Sequence, residues 1–413
     1  MLVITMILAL MHVMDALVSH SCLVVDLTDG GTRFGDALKL SKMWNTASDF
    51  FEKVDNDVSV MASLPAMKLA EGAGSPHAVV GFASNGGGSM KFLETRVSRD
   101  TRKIIPEEVR EVIGEEGAQN MVDAFDVLCQ VGKDIVRTAV AASNMEYDAF
   151  MGQSSDDAED LPMISGLTFD DAEIAGIADT DSEGSYTESA RLSSEAATLL
   201  TEELIDDGRA RADNFDQGSV SMSPHRICRY EGIENTEDKK TEKVMKEIFG
   251  AHTDTSFMTM VPVAEVSGLE VYDEDADKWF RPELLARKIW ESDRERQGLD
   301  STGQTDKVTI FEGDTEKEID VPWHCRYVVA IPGELLQIAT RNEVAAAVHR
   351  VVSVKGGSAR ISAPVLLRAR AGMRMNLPKY FGNIETTGSL LKECNGMNVE
   401  DIHNALQPSN NQD

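Results

Sequence analysis

Cysteine is scarce and scattered in this chain. The five in 413 residues (Cys22, Cys129, Cys228, Cys325 and Cys394) form no CxxC pair and keep no regular spacing. That argues against a thiolate zinc cluster, and an odd, dispersed set fits unpaired thiols in a reducing compartment. Basic residues are in deficit: 40 Lys and Arg stand against 70 Asp and Glu, for a formal charge of −30. Nucleic acids and anionic membranes bind basic surfaces, so neither is expected as a partner, and the acid excess serves solubility. No run approaches the roughly 18 apolar residues of a membrane span. The most apolar stretch, residues 1–14 (MLVITMILALMHVM), is too short for one and has no basic segment before it. It reads as a buried helix or a ragged start, with a signal peptide as the alternative. The expected location is cytoplasmic, with targeting left open by that stretch.

Apolar residues make up 42% of the chain, enough for a sizeable core. Residues 22–27 (CLVVDL) form a short β-branched run suited to a buried strand. Apolar spacing predicts a helix over residues 34–54, and glycines make GFASNGGG (81–88) a loop. Pro106 opens a long helical stretch with Glu107 and Glu108 in its first turn, running to about Ser143 with a break near Gly114–Gly117. Between residues 138 and 188 there is no Lys or Arg while acids recur, so residues 146–190 read as an acidic insertion or flexible loop. A calcium site is the alternative there, without the D-x-D-x-D-G spacing of an EF-hand. An amphipathic helix is expected over 188–207. From Ser221 the texture turns to short β-rich runs: 226–230, 256–263, 268–272, 278–280, 307–311, 326–331, 335–339, 345–354 and 359–367. They suggest a β-sandwich or barrel. A charged helical piece and polar loop at 282–306 interrupt them like a second insertion.

Five polar residues stand out in that half: His252, Asp254, His349, Arg360 and Ser362. Two imidazoles and a carboxylate can hold non-haem Fe(II) on one face and leave the opposite face open. If His252 and Asp254 lie on one strand, their i, i+2 spacing points both the same way. His349, in a separate β run, can supply the third ligand from across a barrel. Arg360 and Ser362 are again i, i+2; a guanidinium fork pairs a carboxylate and the hydroxyl adds a bond. An ion pair with one of the many acids is the other use for Arg360, less expected in its apolar setting. Phe257, Met258 and Met260 are candidates to line the pocket, with half of them expected to face the core because strand neighbours alternate.

In this order the motifs resemble the Fe(II)/2-oxoglutarate-dependent dioxygenases of the isopenicillin N synthase-like branch. HTDTSFMTMV followed by SGLEVYDEDADKWF resembles the family's H-x-D strand and GLxV…W hairpin. VVAIPGELLQIATRNEVAAAVHRVV resembles its GD turn, L-Q-I strand, N-G turn and distal H-R-V, and ARIS resembles its R-x-S. CLVVDL…DFFEKV and GFASNGG…KFLETR are similar, more loosely, to its opening segments. The resemblance implies an α+β chain with a double-stranded β-helix (jelly-roll) core and flanking helices. The implied layout is an N-terminal helical and mixed region at 1–145, the acidic insertion at 146–190, the jelly-roll at 191–376 with an insertion near 282–320, and a tail at 377–413. It implies that His252, Asp254 and His349 hold Fe(II). It also implies that Arg360, Ser362 and Tyr230 bind the distal carboxylate of the co-substrate 2-oxoglutarate. Cys228 stands in place of the family's Asn, Glu334 in place of the Asp of the GD turn, and Arg341-Asn342-Glu343 lacks the N-G pair.

The reaction so implied is dioxygenation: 2-oxoglutarate and O2 are consumed, succinate and CO2 are released, and a small organic substrate is hydroxylated or desaturated. Some relatives use the R-x-S pair for the substrate's own carboxylate and need no 2-oxoglutarate. A non-catalytic jelly-roll binding protein is a further alternative. Zinc hydrolysis is another, though it leaves Arg360 and Ser362 without a role. The substrate and the oligomeric state are not written in these motifs.

Overall fold

Short β-branched runs bounded by Gly, Pro, Asp and Asn become strands in the computed structural model. It describes residues 13–28, 34–84, 89–144, 163–165, 186–211, 218–232, 245–274, 276–300, 302–312, 315–354, 358–381, 394–398 and 401–402. The strands of the first half are β1 (Leu23–Asp26), β2 (Lys68–Leu69), β3 (Val79–Ser84), β4 (Met90–Val97), β5 (Ile104–Ile105) and β6 (Met163–Ser165). Those around the site are β7 (His225–Tyr230), β8 (Met245–His252), β9 (Met258–Pro262), β10 (Leu269–Asp273) and β11 (Lys278–Phe280). The last six are β12 (Thr305–Glu312), β13 (Thr315–Pro322), β14 (Tyr327–Pro332), β15 (His349–Val354), β16 (Arg360–Ser362) and β17 (Val365–Leu367).

Among the described residues these strands make a large sheet with the order β2-β3-β4-β7-β17-β9-β14-β1-β6, where β16 pairs β7 and β5 pairs β4. A smaller sheet has the order β11-β10-β15-β8, and β12 and β13 form a hairpin of their own. Pairing is antiparallel except between β1 and β6. The protein is thus a mixture of helices with antiparallel sheet.

Helices cover the outer face of the large sheet. Helix α1 (Phe34–Asn56) buries Leu40, Met43, Ala47, Phe50, Phe51 and Val54, the helical spacing expected from the sequence. Helix α2 (Glu107–Asn144) changes direction at Gly114, whose φ of 77° belongs to the left-handed region, where a break was expected. Its residues Leu128, Val131 and Ile135 share one core with Met258, Met260, Val365 and Leu367 of β9 and β17. Gly132 permits this approach, because a Cβ there would run into Leu367 Cδ1 and Met260. Gly132→Val should overpack this seam and lower stability by about 1–3 kcal/mol in denaturant unfolding. Helix α3 (Tyr186–Leu204) occupies the span expected at 188–207, with Ala197, Leu200 and Leu204 buried. Residues 13–20 are helical, and Val13, Met14, Ala16 and Leu17 are buried. No helix among the described residues is long and apolar enough to cross a membrane.

The reading of one β run changes. The run 335–339, read as a strand, is helix α5 (Glu334–Ala339), which follows α4 (Pro282–Arg296) in the chain. Its apolar residues Leu335, Leu336, Ile338 and Ala339 are buried at i, i+3 and i+4 spacing, and Gly333 stands at its N-cap. Strand β8 gave no clear signal in the sequence. Glu247, Phe249, Gly250 and Ala251 of this edge strand are exposed, so no buried face demands apolar alternation there. The missing N-G pair is replaced by Arg341 and Asn342, both in the left-handed region at φ 57° and 68°. The acidic stretch 146–190 lies outside the described residues except for β6 and the start of α3, as does most of the tail after 381.

Candidate metal centre and its cavity

Strand pairing brings the two histidines together. His252 is the last residue of β8, His349 the first of β15, and the two are register partners. Their ring centroids are 4.3 Å apart. Asp254 does not share a strand with His252, as the spacing had suggested; it sits in the turn between β8 and β9. It reaches the same point because the chain reverses there. Its Oδ1 lies 3.7 Å from His252 Nε2 and its Oδ2 3.4 Å from His349 Nε2. One ligand atom from each of the three falls within 4.8 Å of the others.

The donor chemistry fits a divalent cation. His252 Nδ1 donates to the Gly250 carbonyl at 2.8 Å and His349 Nδ1 to the Ala347 carbonyl at 3.1 Å. Each bond assigns a proton to Nδ1 and turns Nε2 toward Asp254, where it donates when protonated and can ligate a cation when neutral, the usual outer-shell device around metal-binding imidazoles. Thr259 Oγ1 donates to Asp254 Oδ2 at 2.6 Å and fixes the carboxylate. Burial alone would push the Asp254 carboxyl up, but the charge and hydrogen bond of His349 outweigh it and hold it well below the usual carboxylate range. Burial pulls His349 down, yet Asp254 outweighs that and raises it; burial and then the charge of His349 lower His252.

The Asp254 turn is held by helix α5. The Glu334 N–H donates to the Asp254 carbonyl at 2.9 Å and the Leu335 N–H to the Ser256 carbonyl at 3.0 Å. These are first-turn donors that a helix cannot satisfy within itself. The Glu334 carboxylate accepts from Thr253 Oγ1 at 2.8 Å and from Thr255 Oγ1 at 2.6 Å. Gly333 makes the approach possible, since a Cβ there would meet the Ser256 and Asp254 carbonyls. Motif comparison singled out Glu334 only as a departure; its acid next to a helix start and two threonines around Asp254 were the available signal. Glu334→Ala should loosen the turn and weaken metal binding by roughly 10–100-fold in a competition titration, with the fold retained.

Arg360 and Ser362, on one face of β16, sit opposite Tyr230 and Cys228 of β7. The Arg360 guanidinium carbon lies 5.6 Å from the Tyr230 ring centroid. Arg360 is buried, and its Nη2 donates at 2.8 Å to Glu283, the second residue of α4. Glu283 in turn accepts from the N–H groups of Gly268 at 2.7 Å, Leu269 at 3.0 Å and Ala264 at 3.3 Å. Arg360 Nε and Nη1 remain buried without a hydrogen-bond partner. The segment read as a second insertion therefore supplies the residue that holds this arginine. Gly268 gives it room, because a Cβ there would press on Arg360 Cδ at 2.7 Å.

His252, Asp254, His349, Arg360, Ser362 and Tyr230 all line one cavity of about 310 Å³ between the two sheets. Its walls include Phe92, Tyr230, Thr259, Val261, Val351 and Leu366. Phe257, Met258 and Met260 do not line it; they belong to the core beneath the helices. With Asp254 in a turn, β9 begins at Met258, and alternation then sends Thr259 and Val261 inward.

No protein-family model matches the chain, and no curated protein matches it. Solved structures do. A full-length Neurospora crassa protein in complex with alpha-KG is 10% identical over 97% of this chain and 90% of that one, with a TM-score of 0.50. The chain shares the fold of that fungal protein. The likeness spans nearly the whole length, so the N-terminal strands β1, β3 and β4 belong to the same fold as the strands around the cavity. Dioxygenase for auxin oxidation 1 of Arabidopsis thaliana, in a binary complex with 2-oxoglutarate, is also similar. It is 14% identical over 91% of this chain and 92% of that one, with a TM-score of 0.43.

Proposed function

We propose that the protein is an Fe(II)- and 2-oxoglutarate-dependent dioxygenase that oxidises a small organic substrate. The observation that carries this reading is the convergence of His252, Asp254 and His349 within 4.8 Å, beside a buried arginine with unpartnered N–H groups in the same cavity. The Neurospora crassa protein that shares the fold is a complex with alpha-KG, and this supports the co-substrate. On this reading the two sheets are the halves of a double-stranded β-helix. Residues 191–376 form the jelly-roll, 1–145 its N-terminal region, 146–190 an acidic insertion and 377–413 a tail.

His252 Nε2, His349 Nε2 and one Asp254 oxygen would hold Fe(II), and Thr259 and Glu334 would keep Asp254 in place. Arg360, Ser362 and Tyr230 would take the distal carboxylate of 2-oxoglutarate, with Glu283 aiming Arg360. Bound Fe(II) with 2-oxoglutarate supplies the activation of dioxygen that oxidises a substrate C–H bond and releases succinate and CO2. The chain's part is to align the reactants and to exclude water with the walls Phe92, Val261, Leu269, Val351 and Leu366.

Anaerobic addition of Fe(II) and 2-oxoglutarate should give a visible charge-transfer band in the wild type and none in His252→Ala. Oxygen uptake should depend on added 2-oxoglutarate and release succinate. A wild type without the band would overturn the reading. A band with oxygen uptake independent of 2-oxoglutarate would overturn the co-substrate.

A further inference from the structure

The oxygenase reading leaves two arginines unused. Arg226 lines the cavity on the same face of β7 as Cys228 and Tyr230, but toward the other end of the strand from Tyr230. Its N–H donates to the Pro364 carbonyl at 2.9 Å, whereas Tyr230 is the register partner of Arg360. Arg226 therefore marks the end of the cavity away from Arg360, where Leu366, Thr259 and Asp254 stand. Arg368 lies two residues beyond the lining residue Leu366.

The charges around these two arginines do not balance. Glu94 of β4, fully buried, accepts from Arg226 Nε at 2.6 Å and from Arg96 Nη2 at 2.8 Å. Arg368 has no ion-pair partner within 4 Å among the described residues, and its Nε is buried without a hydrogen bond. Arg226 and Arg96 thus share one buried carboxylate, and the charge of that same carboxylate also reaches Arg368. The next acid whose charge reaches both Arg226 and Arg368 is Asp254, already assigned to the metal. Burial, followed by the charge of Arg226, holds Arg368 below its ordinary value. A buried excess of cation is costly unless an anion joins it. The neighbouring walls, Phe92, Val261 and Leu366, are apolar.

We propose that Arg226 and Arg368 form an anion subsite at the metal end of the cavity, which takes a carboxylate carried on an otherwise apolar substrate. This places the substrate's charge at one end and the co-substrate's distal carboxylate at Arg360 at the other. It rests on the oxygenase reading, and that reading has its own signal in the charge-transfer band.

The test uses the full chain loaded anaerobically with Fe(II) and 2-oxoglutarate. The probes are benzoate and cyclohexanecarboxylate against benzamide and cyclohexanecarboxamide, read by melting temperature and by perturbation of the band. The carboxylates should bind at least about tenfold more tightly than their amides, in keeping with a charge-assisted hydrogen bond. Arg226→Gln and Arg368→Gln should each cost about tenfold or more in carboxylate binding, leave amide binding alone and leave the 2-oxoglutarate band at its wild-type midpoint. Arg368→Gln breaks no ion pair among the described residues, so it reads the subsite even if Arg226→Gln folds poorly. Equal binding of acid and amide, or no carboxylate binding at all, overturns the proposal. Loss of the 2-oxoglutarate band in Arg226→Gln also overturns it, by giving Arg226 to the co-substrate. Absence of the band from the wild type removes the oxygenase reading as well.

Discussion

Asp254→Asn should weaken Fe(II) binding more than about a hundredfold and abolish turnover, while the apo-protein still folds. Outer-shell partners of a metal already change affinity by roughly 10–100-fold, so removing a ligand's charge should exceed that range. The substitution is close in shape. The Asn carbonyl can still accept from Thr259 Oγ1, now 2.6 Å from Asp254 Oδ2, and the backbone bonds from Glu334 and Leu335 to the turn do not involve the side chain. What disappears is the negative charge between two imidazoles whose Nε2 atoms lie 3.7 and 3.4 Å from it. A metal titration followed by circular dichroism of the apo form separates the two effects. Wild-type metal affinity in Asp254→Asn would remove this residue from the ligand set. A collapsed fold would instead make Asp254 a structural residue of the turn.

Glu283→Ala should be the most destabilising single change at the cavity, at about 3–5 kcal/mol in denaturant unfolding. The carboxylate is 1% exposed and does two things at once. It neutralises Arg360, whose side chain is 5% exposed, and it accepts from three backbone N–H groups in the turn leading into β10. Removal leaves a buried guanidinium without its counter-charge and buried donors without an acceptor. A surface pair such as Lys307–Glu318 gives the contrast: both side chains are more than half exposed, and such pairs are worth at most about 1 kcal/mol. Glu283→Gln keeps an oxygen for the backbone donors and should recover part of the loss. A ΔΔG for Glu283→Ala as small as that of the surface pair would show that solvent reaches Arg360 and that the ion pair does not hold it.

The cavity was legible in part from the chain itself. The runs at 226–230, 268–272, 278–280 and 326–331 became strands because β-branched and aromatic residues bounded by turn formers have few other ways to bury one face. The segment 335–339 went the other way. Five mostly apolar residues suit either period, and the decision came from the Asp254 turn, whose carbonyls accept the first N–H groups of a helix at that place. Phe257, Met258 and Met260 were candidates for the pocket, with half of them expected to face the core; all three lie in the core, because β9 begins only after the Asp254 turn and sends Thr259 and Val261 inward.

The sequence by itself determined which chemical groups are present and in what order: an imidazole and a carboxylate two residues apart, a distant second imidazole, and an arginine with a serine beyond it. Only the tertiary structure decided how far apart they stand and what supports them. His252 and His349 are 97 positions apart in the chain and become neighbours through β8–β15 pairing. Glu283 reaches Arg360 across 77 positions and Glu94 reaches Arg226 across 132. Such contacts leave no local trace, because periodicity and turn chemistry act over a few residues, while a buried charge takes its partner from whichever strand or helix the fold lays beside it.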